Sequence, residues 1–330
     1  MTLSSSANLS SGLSLTCPPS PVFLGAGVVL NLTWRLFGCP GKPRRNTMPI
    51  ASLDGIETYY EVHGRGSAIL LFAPGGFDAT IDKWRVASAW TGINALEALA
   101  SEHALIVYDR RECGQSGGRV ERLGWNSYTR QAKALLDHLK IEGAWIMGGC
   151  MGCSVALAFG VHYPESTRGL LLHWPVGGYR WKANSQERFV RHYQFVKQNG
   201  LKAVVERARG GKSFWTDPEA GPWAGVIARE STFADRFIGQ NVERYLGIIA
   251  TTGRSLFDRD TAPGAEPEEL AGIRAPSLII PGDDPSHATS GAHYLRELLP
   301  QADFWNLMPP EQSTRKVCDR ILEFCRKYDA

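Results

Sequence analysis

One short stretch, residues 144–158, constrains the fold more than any other part of this sequence. An apolar run is followed by Gly148-Gly149-Cys150-Met151-Gly152 and then by small and apolar residues up to Ala158. This order predicts a buried strand, a sharp turn with Cys150 at its tip, and a helix. Glycine is expected at Gly148 and Gly152, because side chains at these two positions would clash across so sharp a turn.

Cys150 is the candidate nucleophile of the chain. At the tip of such a turn, its side chain stands clear of the backbone at the C-terminal edge of a sheet. It also lies at the N-terminus of a helix, whose dipole favours thiolate over thiol. Two other interpretations stay open: a buried structural cysteine, and a redox C-x-x-C motif formed with Cys153. The glycines on both sides favour the nucleophile.

Strand and helix patterns alternate along most of the chain. Helical spacing is found at 84–100, 127–139, 288–298 and 311–327, between runs with strand character. The alternation predicts an α/β fold with a mostly parallel sheet covered by helices on both faces. The predicted strands, the first two of them a hairpin around Asp54-Gly55, are 50–53, 56–62, 68–73, 104–108, 144–149, 169–174, 276–281 and 302–307.

The sequence divides into parts of different character. Residues 1–47 are rich in Ser, Asn, Pro and Gly, and we expect a disordered extension or a start codon placed too early. Their one apolar run is short for a membrane span and lacks the positive flank of a signal peptide, although a targeting role stays open. Residues 48–176 and 268–330 carry the alternating pattern. Residues 177–267 contain only aromatic-rich helical segments and predict a helical cap inserted after the sixth strand.

Composition excludes several functional classes. The net charge is only +3 over 330 residues, with no long basic run, so no nucleic-acid partner and no stable membrane insertion are expected. Seven cysteines without regular spacing favour a reducing, cytoplasmic location over a disulfide framework. The sequence has no cluster with metal-ligand spacing and no phosphate-binding glycine motif, so neither a metal nor a cofactor is expected.

Four motifs in this order resemble the α/β-hydrolase fold over residues 48–330. Gly148-x-Cys150-x-Gly152 matches its nucleophile elbow, with cysteine in place of serine, a variation known in dienelactone hydrolases. Pro74-Gly75-Gly76 stands where that fold has its oxyanion turn. The other two motifs are the 109–116 loop, similar to Asp-x-Arg-Gly-x-Gly-x-Ser, and the 276–284 segment, similar to the strand and loop that carry the acid. The chain departs from the family in one further respect: no histidine follows the last predicted strand.

The resemblance implies an oxyanion hole formed by the backbone amides of Met151 and of Gly76 or Phe77. The sequence leaves open which residue is the general base. His287 lies on the loop that faces the elbow in this fold, and Asp283 or Asp284 could hold its tautomer. An alternative for His287 is a helix-start histidine that pairs only with these acids.

Glu311 is the other candidate base, because it occupies the slot where the family has its histidine. A buried carboxylate with a raised pKa can move protons. A thiol also needs less help from a base than a hydroxyl does, since its pKa lies nearer to neutral pH.

Together these features predict a capped hydrolase that cleaves an ester, lactone or thioester through an acyl-cysteine intermediate. The aromatic insertion predicts a moderately large apolar or aromatic small-molecule substrate, with Trp174, Trp215 and Trp223 in its pocket. Arg111 is a candidate anchor for an acidic substrate group. The alternatives are a C–C hydrolase, an acyltransferase or a lyase on the same scaffold, and a receptor that binds without turnover.

Overall fold

The computed structural model describes residues 49–86, 95–261 and 263–329. Its core is one eight-stranded sheet, in which the order is β1-β2-β4-β3-β5-β6-β7-β8. β2 is antiparallel to β1 and β4, and the remaining pairs are parallel. The strands are β1 (Ile50–Leu53), β2 (Ile56–His63), β3 (Ala68–Phe72), β4 (Ala104–Tyr108), β5 (Ala144–Gly149), β6 (Thr167–His173), β7 (Ser277–Ile280) and β8 (Ala302–Phe304).

Helices cover both faces of this sheet. Short 3-10 turns lie at Pro164–Ser166, Pro218–Ala220 and Pro309–Glu311. The described α-helices are α1 (Lys83–Val86), α2 (Ala95–Leu99), α3 (Trp125–His138), α4 (Met151–His162), α5 (Tyr179–Arg209), α6 (Ala224–Arg229), α7 (Ser231–Ile238), α8 (Val242–Leu256), α9 (Pro267–Gly272), α10 (Thr289–Leu298) and α11 (Thr314–Tyr328). Within the described ranges, no helix has the length and apolar character needed to cross a bilayer.

The central strands are buried on both faces, as their uninterrupted apolar runs predict. Every residue of β3 and of β5 is buried. Along β5, Ile146 packs into the core on the α4 side of the sheet, whereas Trp145 and Met147 pack into the core on the α11 side. Trp145 makes an edge contact with Phe324 of α11 at 5.8 Å between ring centroids. The predicted α/β class is therefore confirmed.

Four helices, α5 to α8, lie between β6 and the α9–β7 segment. The predicted helices 186–198 and 201–208 form one long helix, α5, which is interrupted at Gly200 by a φ of 74°. The predicted helix 222–232 is instead divided between α6 and α7, and α8 extends the predicted 242–254 by two residues. The expectation of disorder for residues 1–47 lies outside the described residues.

The turn between β5 and α4 is held against β3 by a very close backbone approach. A Cβ atom at Gly152 would lie 2.1 Å from the carbonyl oxygen of Phe72, and one at Gly148 would lie 2.5 Å from the backbone of Gly152. No side chain fits at such distances, so both positions require glycine. The turn can form only with this pair of residues, as the sequence predicts.

Replacing Gly152 by alanine is therefore expected to lower the free energy of unfolding by about 3 kcal/mol or to prevent folding, because the new methyl group displaces α4 from β3. The matched control is Gly247→Ala on α8, where a Cβ meets nothing within 4 Å. That change should be neutral or stabilising by up to about 1 kcal/mol. Urea unfolding followed by far-UV circular dichroism measures both, and equal effects would refute this account of the turn.

Candidate active site

Cys150 occupies a strained backbone conformation at the tip of the turn. Its φ of 54° and ψ of −126° are unusual for a residue with a side chain. The backbone is fixed from both sides, because the Cys150 amide donates to the carbonyl of His173 at 3.1 Å and the Cys153 amide donates to the carbonyl of Cys150 at 3.0 Å. The side chain is partly exposed, at the start of α4. Strain of this kind is typical of functional sites.

The loop between β7 and α10 brings His287 to the same edge of the sheet. Asp284 organises this loop, since its Oδ1 accepts hydrogen bonds from the amides of Ser286 at 2.8 Å and His287 at 3.1 Å. The same carboxylate lies 2.8 Å from His287 Nδ1. The loop also pairs with the segment after β6, where Gly177 donates to the Ser286 carbonyl at 3.0 Å. Backbone contacts thus fix the position of the imidazole.

His287 and Cys150 both line the cavity, and each shifts the pKa of the other. With Nδ1 on Asp284, the Nε2 atom remains for the sulfur; it is buried and makes no well-aligned hydrogen bond within the described chain. Loose contacts of this kind are common in substrate-free active sites. Burial opposes a charge on the imidazole, but the charges and hydrogen bonds of Cys150 and Asp284 outweigh burial and raise the pKa of His287 to about 10. The hydrogen bond from His287 lowers the pKa of Asp284.

The thiol of Cys150 responds in the opposite sense. Burial raises its pKa, but the charge and hydrogen bond of His287 and the backbone amides of Gly75 and Met151 together lower it below 9.0. The proton therefore shifts from the sulfur towards the imidazole.

His173, which stacks on Trp174, behaves differently: burial lowers its pKa to about 3, so it stays neutral.

The backbone amides of Met151 and Gly75 both lower the pKa of the Cys150 thiol. The sequence predicts the amide of Met151, at the start of α4, as one donor of the oxyanion hole, and the amide of Gly76 or Phe77 as the other. All four residues line the cavity beside Cys150. At Gly75 the φ of 105° is a conformation that favours glycine.

The segment after β8, where the family has its histidine, supports the site from outside. Gln312 accepts a hydrogen bond from the Trp174 indole at 2.7 Å and donates to the carbonyls of Pro281 and Leu307. Trp174 in turn packs edge-on against His287 at 5.5 Å between ring centroids. Glu311 is exposed in the Pro309–Glu311 turn and does not line the cavity. The expectation of a buried carboxylate at Glu311 is therefore wrong.

A cavity of about 300 Å³ opens beside the Cys150 sulfur. Six of its lining residues are Phe or Trp, and five of these six come from the helical insertion. Trp215, half-exposed, lies among these residues. In the described ranges, no group of three or more His, Cys, Asp and Glu side chains is arranged to hold a metal ion. The lining residues are Pro74–Asp78, Lys83, Cys150, Met151, Trp181, Ser185, Arg188, Phe189, Phe214, Trp215, Phe257, Asp284, Ser286 and His287.

Three of the four predicted substrate-binding side chains do not line this cavity. Trp174 contacts His287 from behind, as described above. Trp223 is fully buried, and its indole donates to the carbonyl of Arg119 at 3.0 Å. Arg111 is buried in an ion-pair network with Glu112 and Glu121, at 3.0 and 2.6 Å. Only Trp215 lies where the sequence predicts.

Sequence reasoning missed Arg188, the arginine that does line the cavity. The signal was present in the helical spacing of α5: Trp181, Ser185 and Arg188 follow at intervals of four and three residues, and all three line the cavity. The apolar periodicity of α5 predicts which aromatic residues share this face, but it does not indicate that the polar residues between them also line the cavity.

The C-x-x-C interpretation receives no support from Cys153. Both cysteines are free thiols, and Cys153 is buried. Its sulfur lies 3.1 Å from the carbonyl oxygen of Gly148 and 3.3 Å from that of His173, so the thiol donates into the backbone. Burial and the neighbouring Cys150 raise its pKa well above the usual value, which disfavours a thiolate.

Comparisons with known proteins agree with this architecture. The family model for the α/β hydrolase fold matches residues 68–305. A protein from Azorhizobium caulinodans that carries the name of a carbamate hydrolase, RutD, is 31% identical over 258 residues, which cover 76% of this chain and 85% of the relative.

Two solved structures share the fold. An esterase from Thermogutta terrifontis is 20% identical, with a TM-score of 0.55, over 86% of this chain and 99% of its own. A meta-cleavage product hydrolase from Pseudomonas fluorescens is 18% identical, with a TM-score of 0.54, over 84% and 97%. At such identities the likeness concerns the fold alone.

The contact between His287 and Cys150 predicts how alkylation of Cys150 depends on pH. Iodoacetamide reacts with the thiolate, so its rate should rise through a midpoint below pH 9.0 in the wild type. In His287→Ala the midpoint should move to higher pH, because burial still raises the pKa of Cys150 while the imidazole that lowers it is gone. The rate at pH 7 should therefore fall roughly tenfold. Mass spectrometry of the peptide that contains Cys150 measures the rate. Glu311→Gln is the control, and an unchanged midpoint in His287→Ala would refute the pairing.

Proposed function

The chain belongs to the α/β-hydrolase fold family, and we propose that it is a hydrolase with a cysteine nucleophile. Its substrate would be an ester, lactone or thioester with an apolar or aromatic body. The observation that carries the proposal is the chain of contacts from the Cys150 sulfur through His287 to Asp284, at the wall of an aromatic cavity. Nucleophile, base and orienting carboxylate in this order form the arrangement that covalent acyl transfer requires.

In the first half-reaction, the Cys150 thiolate attacks the carbonyl carbon and forms a C–S bond. The electron pair of the carbonyl π bond moves to oxygen, and the amides of Met151 and Gly76, which both line the cavity, would hold this oxyanion. When the C–O or C–S bond to the leaving group breaks, protonated His287 gives its proton to the departing alcohol, enol or thiol. The product is an acyl-cysteine thioester.

In the second half-reaction, water attacks the thioester carbonyl while neutral His287 accepts a proton from that water. The same two amides hold the second oxyanion. The C–S bond then breaks, the free acid leaves and the thiolate of Cys150 is restored beside protonated His287. Asp284 keeps Nδ1 as the donor of its hydrogen bond throughout, so that Nε2 carries the proton that moves.

In this proposal residues 48–176 and 268–330 form the catalytic core and residues 177–267 form a cap over it. The cap supplies most of the apolar wall, including Trp181, Phe189 and Phe214. Such a wall favours a substrate with an aromatic or branched apolar body. A cavity of about 300 Å³ suits a small molecule rather than a polymer chain.

A carbamate is the second candidate substrate, and the 31% identical relative named as a carbamate hydrolase favours it. The same residues serve both reactions, since attack on a carbamate gives a carbamoyl-cysteine in place of an acyl-cysteine. The two classes differ in the second half-reaction, because the nitrogen of a carbamoyl group makes its carbonyl less reactive towards water. An aryl carbamate therefore belongs in the substrate panel.

The proposal predicts a burst of 4-nitrophenol from 4-nitrophenyl butyrate, equal to one per protein chain when acyl-enzyme hydrolysis is slower than its formation. Cys150→Ala should lower kcat/KM at least about 1,000-fold, and Asp284→Asn about 100-fold or more, since the imidazole then loses its tautomer control. Stopped-flow absorbance gives the burst, and intact-protein mass spectrometry detects the added acyl group.

Cys153→Ala is the matched control, because this thiol lies three residues away and its sulfur faces the backbone. Its kcat/KM should stay within about threefold of the wild type. Binding of the ester without nitrophenol release would instead identify a receptor. Loss of activity in Cys153→Ala equal to that in Cys150→Ala would point to the redox alternative.

A further inference from the structure

The cavity beside Cys150 contains a cation, Arg188, that forms no ion pair with a carboxylate of the described chain. Arg188 lines the cavity from α5 and is partly buried there. Its Nη1 donates to the carbonyl oxygens of Phe214 at 3.3 Å and Trp215 at 2.5 Å. Its guanidinium carbon lies 4.3 Å from the centre of the Trp215 ring. These contacts fix the plane of the guanidinium without balancing its charge.

The other edge of the same guanidinium, formed by Nε and Nη2, has no hydrogen-bond partner in the part of the chain that the structure describes. These two N–H groups have the parallel geometry that binds both oxygens of a carboxylate. Ser185, one turn earlier on α5, lines the same cavity, and its hydroxyl is likewise unpaired within the described chain. Arg188 and Ser185 therefore offer hydrogen-bond donors to a ligand, and neither side chain carries a negative charge.

Lys83 and His287, the other cationic side chains of the cavity, are both paired. His287 contacts Asp284 at 2.8 Å. Lys83 forms an ion pair with Asp78 at 2.7 Å, so its charge is already balanced. Burial and the nearby Arg191 lower the pKa of Arg188, although the acids Glu187 and Asp78 oppose that shift. A partly buried guanidinium without an ion pair, beside the aromatic residues of this cavity, is typical of a group that binds an anionic ligand.

We propose that Arg188 binds a carboxylate group of the substrate, so that the enzyme acts on esters, lactones or carbamates that carry a free acid. This inference rests on the proposed function for the site of cleavage, but binding by Arg188 can be measured separately. The substrate class that fits is an apolar or aromatic body with the scissile carbonyl at one position and a carboxylate at another. Half-esters of dicarboxylic acids and aryl esters with a ring carboxylate belong to it.

The kinetic test compares two pairs of substrates whose members differ chiefly in charge. The first pair is mono-4-nitrophenyl adipate and its neutral methyl ester, with the carboxylate on the acyl side. The second is 4-carboxyphenyl acetate and 4-carbamoylphenyl acetate, with the carboxylate on the leaving group. In the wild type, kcat/KM should favour the anion by about 10- to 100-fold in at least one pair.

In Arg188→Gln that preference should fall below about threefold, and Arg188→Lys should restore only part of it, because an ammonium cannot bind a carboxylate through two parallel N–H groups. Arg191→Gln is the matched control: it removes an exposed arginine three residues along the same helix and should keep the preference. The ratio within a pair is the readout, since a general loosening of the cavity lowers both members alike.

A binding measurement keeps the inference testable if the protein does not hydrolyse these esters. Calorimetric titration of Cys150→Ala with 3-phenylpropanoate and with 3-phenylpropanamide should show tighter binding of the acid by the same 10- to 100-fold. That difference should disappear in the Cys150→Ala, Arg188→Gln double variant. Equal binding of acid and amide, or a preference that survives in Arg188→Gln, would overturn the inference. A missing burst with a retained Arg188-dependent preference would overturn only the hydrolase proposal.

Discussion

The close approach of α4 to β3 is the constraint on which the rest of the site depends. With Gly152 against the Phe72 carbonyl and Gly148 against the start of α4, the backbone must pass through a strained residue at Cys150. The strain costs of order 1–3 kcal/mol, and burial of the surrounding strands on both faces of the sheet keeps the turn in place. In return, the sulfur lies at the N-terminus of a helix and next to the amide of Met151, where negative charge is stabilised.

The sequence could predict the parts of this arrangement that are set by local spacing. Gly148, Cys150 and Gly152 form one turn, and Asp284 lies three residues before His287 in one loop, so their geometry follows from short segments. The sequence could not show that Arg188 rather than Arg111 lines the cavity, because the two arginines differ in the residues that they contact. Carboxylates already neutralise Arg111, whereas two carbonyls and an indole hold Arg188.

The same reasoning explains the failures at Trp223 and Glu311. Apolar spacing predicts that a tryptophan of the insertion is buried, but not which core receives it, and Trp223 is held away from the cavity by the Arg119 carbonyl. Glu311 occupies the sequence position where the family has its histidine, but this position alone does not predict whether the side chain is buried. In the structure the Pro309–Glu311 turn leaves its carboxylate exposed. The fold was predictable as a whole because its central strands are continuous apolar runs whose burial needs no specific partner.

A base on the loop after β7 is compatible with a cysteine for an electrostatic reason. Asp284 accepts the amides of its own loop and also contacts His287, so one carboxylate fixes both the loop and the tautomer. The charges and hydrogen bonds of Cys150 and Asp284 raise the pKa of His287, and the charge of Cys150 contributes more to this shift than the charge of Asp284. Because His287 in turn lowers the pKa of the thiol, His287 would act first as an acid for the leaving group in the proposed reaction. A serine at position 150 would carry no such charge at neutral pH, so the same histidine would have to begin the reaction as a neutral base.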